Sequence, residues 1–117
     1  MVTDKVKAIA KYVDASPQKA RLVADTIRGR SVGDALAILH FTKKRVARDL
    51  HKLLKTAVAN AESRPGSHVD VDRLFVSTIF VDGASVKFRR RTLPAPMGRA
   101  FRFVRRQCHV TIGLNEK

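Results

Sequence analysis

The 117-residue sequence has few residues that can form disulfides or bind metal ions, since it contains one cysteine and four scattered histidines. One cysteine cannot form an internal disulfide, and so few donors do not make a dedicated zinc site. We therefore expect no metal and no other cofactor. Long apolar runs are also missing, because the longest stretch without a charge, 107–115, has nine residues and is too short to span a membrane. The N-terminus carries Asp4 and no apolar run, which argues against a secretory signal and favours a reducing, cytosol-like compartment.

The sequence also contains few acidic side chains. The chain has 10 Asp and Glu against 24 Lys and Arg, a formal net charge of +14. Residues 1–83 hold nine of the acids and 15 of the cations, whereas residues 84–115 hold eight cations and no acid. A compact protein with this charge repels itself, which predicts an anionic partner. The acid-free segment 84–115 is where we expect that partner to bind.

Three helices are predicted in the first half of the chain. Ser16 followed by Pro17 is a helix start, and Gly29 is the expected residue after its end. Ser31 begins a second, short helix. Thr42 is predicted to cap a third helix over 43–63, whose apolar residues recur at helical spacing.

Strands are predicted at both ends of the sequence. Residues 5–13 alternate as a strand, with Val6, Ala8, Ala10 and Tyr12 on one face, although their alanines also fit a helix. Residues 69–91 and 99–114 read as two long strands joined by a turn, so they should pair antiparallel. Residues 74–81 are apolar on both faces, which predicts a central strand.

These elements predict an α+β fold: three helices packed on a small antiparallel sheet, with a long projecting β-hairpin. The 44% hydrophobic content supplies a core for one domain over 1–117. Its globular body should comprise about 1–83 plus 104–115, and its basic hairpin about 84–103. At about 3.3 Å per residue the hairpin can reach roughly 25–30 Å, beyond the roughly 13 Å radius of such a body.

The hairpin cations are the first candidate site. Seven of the eight are arginines, whose planar fork suits bidentate phosphate contacts. Phe88, Phe101 and Phe103 interleave with them and can pack against bases or sugars. A solvated charged face is the alternative, but such faces usually mix both signs of charge. Folded RNA fits better than duplex DNA, because no recognition-helix pattern is present.

Other cations leave two interpretations open. Arg28, Arg30 and the cations of 43–48 suit either a soluble helix surface or RNA contact. Lys19 and Arg21 follow the capped helix start, where the helix N-terminus also favours phosphate. Lys7 and Lys11, on the charged face of the first strand, complete the candidate RNA-binding set.

Catalysis finds little support in the sequence. His109 follows Cys108, but neighbours on a strand point to opposite faces and cannot pair side to side. Cys108 is better explained as a small core residue. We therefore expect no enzyme activity and no small-molecule substrate.

Four motifs, in order, resemble the L22 family of large-subunit ribosomal proteins. They are residues 16–29 with 35–39, residues 57–62, residues 98–100, and residues 108–112. The similarity covers about residues 7–116. It implies a body outside the large subunit near the peptide exit, and a hairpin that runs into ribosomal RNA and lines the exit tunnel. It also implies a role in assembly by bridging RNA domains, on a cytoplasmic ribosome.

The resemblance implies ribosomal RNA, neighbouring ribosomal proteins and, near the hairpin tip, the nascent peptide as partners. The resemblance assigns RNA binding to Lys19, Arg21, Arg89, Arg90, Arg91, Arg99, Arg102, Arg105 and Arg106. Lys7, Lys11, Lys87 and Phe88 join the predicted RNA-binding set from the pattern of charges and aromatics alone. The tunnel tip becomes Thr92, Leu93, Pro94, Ala95, Pro96, Met97 and Gly98. Ala95 and Met97 stand where the family commonly has cations. A free-standing nucleic-acid-binding architectural or regulatory protein is the alternative function.

Overall fold

The computed structural model describes residues 6–63, 70–86 and 90–116. Its helices are α1 (Pro17–Ile27), α2 (Val32–Phe41) and α3 (Val46–Ser63). Its strands are β1 (Val6–Val13), β2 (Leu74–Gly83), β3 (Arg90–Pro94), β4 (Ala100–Val104) and β5 (Cys108–Glu116). Short 3-10 turns occupy Val71–Arg73 and Pro96–Gly98. The α+β class predicted from the sequence is confirmed.

The helix starts of α1 and α2 follow from their capping residues. The Ser16 hydroxyl accepts a hydrogen bond from the Lys19 amide, and Ser31 accepts one from the Asp34 amide. These bonds satisfy amide groups that have no partner inside the helix. Gly29 has a φ of 79°, as expected of the glycine that follows a helix end.

The predicted start of α3 is wrong. Thr42 does not cap this helix, because its hydroxyl donates to the Ile38 carbonyl at 2.6 Å and so belongs to the end of α2. A threonine hydroxyl can bond back to the carbonyl four residues earlier, and that bond competes with capping the next helix. The helix begins at Val46, so 43–45 form the connection between α2 and α3.

Three strands form an antiparallel sheet in the order β1-β5-β2. The central strand is β5, whose residues from Val110 to Asn115 are all buried. The sequence prediction that residues 74–81 form the central strand is therefore wrong. A β-branched and aromatic run fits an edge strand as well as a central one when a covering element protects that edge.

The alternation predicted for β1 breaks near its end. The pairing of β1 with β5 shifts between Ala10 and Val13, and Tyr12 has a φ of 57°. This bulge turns Tyr12 outward and buries Val13 beside Val6 and Ala8. An extra residue in one strand exchanges the faces of every residue beyond it, which period-two alternation cannot anticipate.

The helices cover the sheet and enclose the core. Helix α1 packs on β2, α3 packs on β1 and β5, and α2 packs on α3. The largest fully buried side chains are Ile27, Leu50, Leu54, Leu74, Ile112 and Leu114. All three helices and all three strands of this sheet thus contribute to one apolar cluster.

The β3–β4 hairpin extends away from this core. The chain measures 65 × 27 × 24 Å and has a radius of gyration of 17.4 Å. A compact protein of this length has a radius of gyration of about 13 Å. Among the described elements, β3 and β4 make their extensive contacts with each other. A projecting hairpin was predicted, but each of the two long predicted strands is interrupted, at 84–86 and at 105–107.

We predict that Leu54→Ala lowers the free energy of unfolding by about 2–5 kcal/mol, because it leaves a cavity between α3 and the sheet. Leu54 is fully buried, whereas Leu22 on α1 is 62% exposed and provides the matched control. Leu22→Ala should change stability by about 0.5 kcal/mol or less. Urea denaturation followed by circular dichroism measures both values. Equal losses for the two variants would contradict the placement of α1 and α3.

Candidate nucleic-acid interface

The hairpin has two chemically different faces. Directly opposite residues in an antiparallel pair lie on the same face. Thr92 pairs with Arg102, and Arg90 lies two residues before Thr92, so these three residues share one face. Leu93 pairs with Phe101, and Arg91 pairs with Phe103, on the other face. One face therefore presents two arginines and a hydroxyl to phosphate, and the other presents aromatic and aliphatic side chains together with Arg91.

All six described hairpin arginines are exposed: Arg90, Arg91, Arg99, Arg102, Arg105 and Arg106. Phe101 is 65% exposed and Leu93 is 50% exposed. A two-stranded hairpin encloses no hydrophobic core, so these exposed apolar side chains cannot be buried within the hairpin itself. Lys87, Phe88 and Arg89, which were also predicted to bind RNA, lie outside the described residues.

The tip is a tight turn over residues 95–99. The Ala95 amide donates to the Arg99 carbonyl at 2.9 Å, and Met97 and Gly98 have φ values of 63° and 71°. Met97 is 94% exposed. Thr92, Leu93 and Pro94, predicted as part of the tip, belong to β3.

The base of the hairpin is fixed to the body by Gln107. Its side-chain amide donates to the Asp14 carboxylate at 2.7 Å and to the Tyr12 carbonyl at 3.4 Å. Its backbone carbonyl accepts from the Ala84 amide at 3.0 Å. These bonds connect the residues that flank the hairpin to the loop after β1. No pattern in the sequence indicates this role for Gln107.

Arg21 on α1 and Arg28, which directly follows the helix, cover the edge of the sheet. Arg21 donates from Nε and a terminal nitrogen to the Val81 carbonyl, at 3.2 and 2.9 Å. Arg28 donates to the Ile79 carbonyl at 2.8 Å and pairs with Asp25. Nearby, the Gly29 amide and the Arg30 carbonyl bond to Val76. An edge strand exposes such unpaired backbone groups, so these arginines protect β2.

The remaining predicted body cations are exposed. Lys7 and Lys11 lie on β1 and Lys19 lies on the first turn of α1. Lys11 lines a groove between β1 and α3 together with Arg48 and Lys52. Arg45, Arg105 and Arg106 line a neighbouring pocket beside Ser16. The structure thus brings body and hairpin cations together at the base of the hairpin.

Comparison with known proteins identifies the family. A model of the family described as "Ribosomal protein L22p/L17e" matches residues 8–115. A relative from Solibacter usitatus (strain Ellin6076), called "Large ribosomal subunit protein uL22", is 50% identical over 114 residues, which cover 97% of each chain. A relative of the same name from Syntrophobacter fumaroxidans (strain DSM 10017 / MPOB) is 48% identical over 97% of this chain and 99% of its own. The chain belongs to the ribosomal protein L22p/L17e family.

This membership confirms the resemblance drawn from the four sequence motifs. Members of the L22p/L17e family are structural ribosomal proteins, so the chain is not an enzyme, as the sequence predicted. Among the residues that the structure describes, no three His, Cys, Asp or Glu side chains come together as a metal site. In the same part of the chain no helix is long and apolar enough to cross a membrane.

Cys108 and His109 have separate structural roles in this L22p/L17e member. Cys108 is fully buried, and burial raises the pKa of its thiol, with the Asp49 carboxylate adding to the shift and Arg21 opposing it. His109 accepts a hydrogen bond at Nδ1 from the Tyr12 amide at 3.1 Å, and the two rings meet edge to face at 4.8 Å. His109 thereby stabilises the bulge in β1.

We predict that Arg21→Ala destabilises the protein by about 1–2 kcal/mol, because a charged donor to the Val81 carbonyl is lost. Lys19→Ala removes the same charge from the same helix, and Lys19 makes no such bond to β2. This control should therefore change stability by about 0.5 kcal/mol or less. Thermal unfolding measures both variants. If Arg21→Ala is as stable as Lys19→Ala, Arg21 does not protect the sheet edge.

Proposed function

We propose that this protein is a structural component of the large ribosomal subunit that binds large-subunit ribosomal RNA through its β3–β4 hairpin. We further propose that it bridges RNA domains during assembly and lines the peptide exit tunnel with its tip. The two relatives named above bear the name of a large-subunit protein and align with 97% of its length. The observation that carries the RNA contact is the exposure of six arginines on a segment without acids.

The two hairpin faces suggest a division of contacts. Arg90 and Arg102, with Thr92 between them, present cations and a hydroxyl to phosphate oxygens. Phe101 and Phe103 on the opposite face offer flat surfaces to unstacked bases or sugars. A two-faced ribbon of this kind can contact RNA on both sides at once. Lys87, Phe88 and Arg89 extend the same alternation of cations and aromatics in the sequence.

The tip of the hairpin differs in chemistry from the arginine-rich stem and suits an environment other than RNA phosphates. Residues 95–98 carry no charge, and Met97 at the turn is 94% exposed. We propose that the tip faces the tunnel interior, and that the nascent peptide passes it. Cations at Ala95 and Met97 would add phosphate contacts, so their absence assigns RNA binding to the hairpin stem.

A free-standing nucleic-acid-binding regulator is the other function that the net charge allows. Such a protein must fold and act alone, yet an isolated two-stranded hairpin is marginally stable in water. The described hairpin strands make their extensive contacts with each other and not with the body. An arm of this kind suits a chain that becomes ordered against a larger partner.

We predict that replacing Arg90, Arg91 and Arg102 with alanine weakens binding to a large-subunit RNA transcript and flattens its salt dependence. The slope of log K against log salt should fall by roughly 2–3 in total, at about 0.7–0.9 for each lost phosphate contact. Filter binding over a salt series measures the slope.

The control for this prediction replaces the same three arginines with lysine. Lysine keeps the charge but loses the bidentate fork, so the slope should stay near that of the unmodified chain while affinity falls modestly. An alanine variant with an unchanged slope would show that these side chains do not contact phosphate.

We predict that deleting residues 94–97 leaves incorporation into large subunits intact, because the stem arginines are retained. Passage of nascent peptides through the tunnel should change, since the residues proposed to line it are removed. Gradient fractionation measures incorporation, and translation of a stalling peptide measures tunnel passage. A deletion variant that no longer enters subunits would show that the tip itself carries RNA binding.

A further inference from the structure

The strand ladder of the body does not continue evenly into the hairpin. The last pair of the body sheet is Gly83 with Cys108, and the first pair of the hairpin is Arg90 with Val104. Six residues separate these two pairs on one side, and three separate them on the other. Segments of unequal length cannot pair residue for residue, so the ladder alone does not fix the angle between hairpin and body.

A small change in this angle has a large effect at the tip. Met97 lies ten residues before Gln107, and strand residues extend by about 3.3 Å each, which gives an arm of about 33 Å. A rigid arm of this length moves its tip by about 11 Å when it rotates by about 20° at its base. The direction of the hairpin therefore depends on contacts close to the base.

Gln107 makes such contacts from the connection between β4 and β5. Its side-chain amide donates to the Asp14 carboxylate at 2.7 Å and to the Tyr12 carbonyl at 3.4 Å. Its backbone carbonyl accepts from the Ala84 amide, at 3.0 Å, in the connection that leaves β2. One residue therefore links both connections of the hairpin to the end of β1.

The Tyr12 backbone is bound on both of its polar groups by residues beside the hairpin. Its amide donates to Nδ1 of His109 at 3.1 Å, and its carbonyl accepts from Gln107, two residues before His109. Tyr12 has a φ of 57°, a left-handed conformation that is uncommon for a bulky residue. Such a conformation persists only where the surrounding structure holds it, and it is typical of functional sites. The bulge in β1 is thus held in a shape that meets Gln107 and His109.

Asp14 also favours a hairpin base that lies close to the body. Its carboxylate lines a pocket together with Arg45 of the body and with Arg105 and Arg106 of the hairpin base. Arginines brought this close repel one another, and a carboxylate between them offsets the repulsion. Asp14 therefore acts both as the hydrogen-bond acceptor of Gln107 and as the counter-charge at this junction.

We propose that Tyr12, Asp14, Gln107 and His109 form a latch that sets the direction of the hairpin before it meets RNA. Gln107 is then a positioning residue, which orients the hairpin arginines and needs no RNA contact of its own. The inference rests on the proposed function and adds an order of events to it: the hairpin is directed first and bound second. An arm whose direction is already set loses less conformational freedom on binding, so its affinity is higher without any further contact.

The test compares Gln107→Ala with Gln18→Ala in the full-length chain. Both variants lose the same uncharged side chain, and Gln18 is exposed on α1 and takes no part in the latch. Spin labels at Leu22→Cys and Met97→Cys, two exposed positions, report the distance between body and tip by pulsed electron paramagnetic resonance. Cys108 is fully buried and should stay unlabelled. Circular dichroism verifies the fold of each variant.

We expect a narrow distance distribution for the chain with the native latch and for Gln18→Ala, and a broad one for Gln107→Ala. The affinity of Gln107→Ala for a large-subunit ribosomal RNA transcript should fall by about two- to tenfold, because binding must then order the arm. The slope of log K against log salt should not change, since no cation is removed.

A second variant, Asp14→Ala, breaks the same hydrogen bond from the side of the body. It should also broaden the distance distribution, and it decides the question if Gln107→Ala does not fold.

A narrow distribution for both latch variants would overturn the inference. A broad distribution with unchanged RNA affinity would overturn it as well, because the direction of the hairpin would then not matter for binding. An affinity loss with an unchanged distribution would instead show that Gln107 contacts RNA directly. If the native chain does not bind the transcript, the proposed function fails, and the latch has no role in RNA binding even where the distance distributions differ.

Discussion

The positive charge of residues 84–115 is the constraint on which the placement of the hairpin depends, because this segment contains no acid to neutralise it. Six of its arginines are exposed on or beside a narrow hairpin, where mutual repulsion opposes close packing against the basic body. The hairpin therefore extends outward, and in the proposed function an anionic partner stabilises it. Folded RNA meets this requirement, since its phosphates bind arginine and its unpaired bases can stack on Phe101 and Phe103.

The body holds this charged arm in a defined place. Strand β5 is hydrogen bonded on both sides, and the hairpin joins the sheet where β2 ends and β5 begins. Gln107 bonds to the loop after β1 at the same point. Arg21 meanwhile protects the outer edge of β2. Arginine thus protects a strand in the body, where a backbone carbonyl lies within reach, whereas the proposed function gives the hairpin arginines the role of binding RNA.

Local signals in the sequence predicted much of this structure. Ser16 and Ser31 marked two helix starts, because capping depends on a few adjacent residues, and the lack of acids located the basic hairpin. Long-range effects were not predictable. Thr42 bonded back into α2, a bulge reversed the exposure of Tyr12 and Val13, and the choice of central strand depended on pairing across the whole chain. The roles of Arg21 and Arg28 likewise require a strand more than 50 residues away.

The central claim, that the hairpin lies against large-subunit RNA, is tested most directly by crosslinking from position 101. A photoreactive phenylalanine analogue replaces Phe101, which is 65% exposed, and large subunits are isolated on a gradient before illumination. The account predicts that the protein sediments with large subunits and crosslinks to their RNA. A protein that stays among the free soluble proteins, or a subunit-bound protein that crosslinks to protein alone, would contradict it.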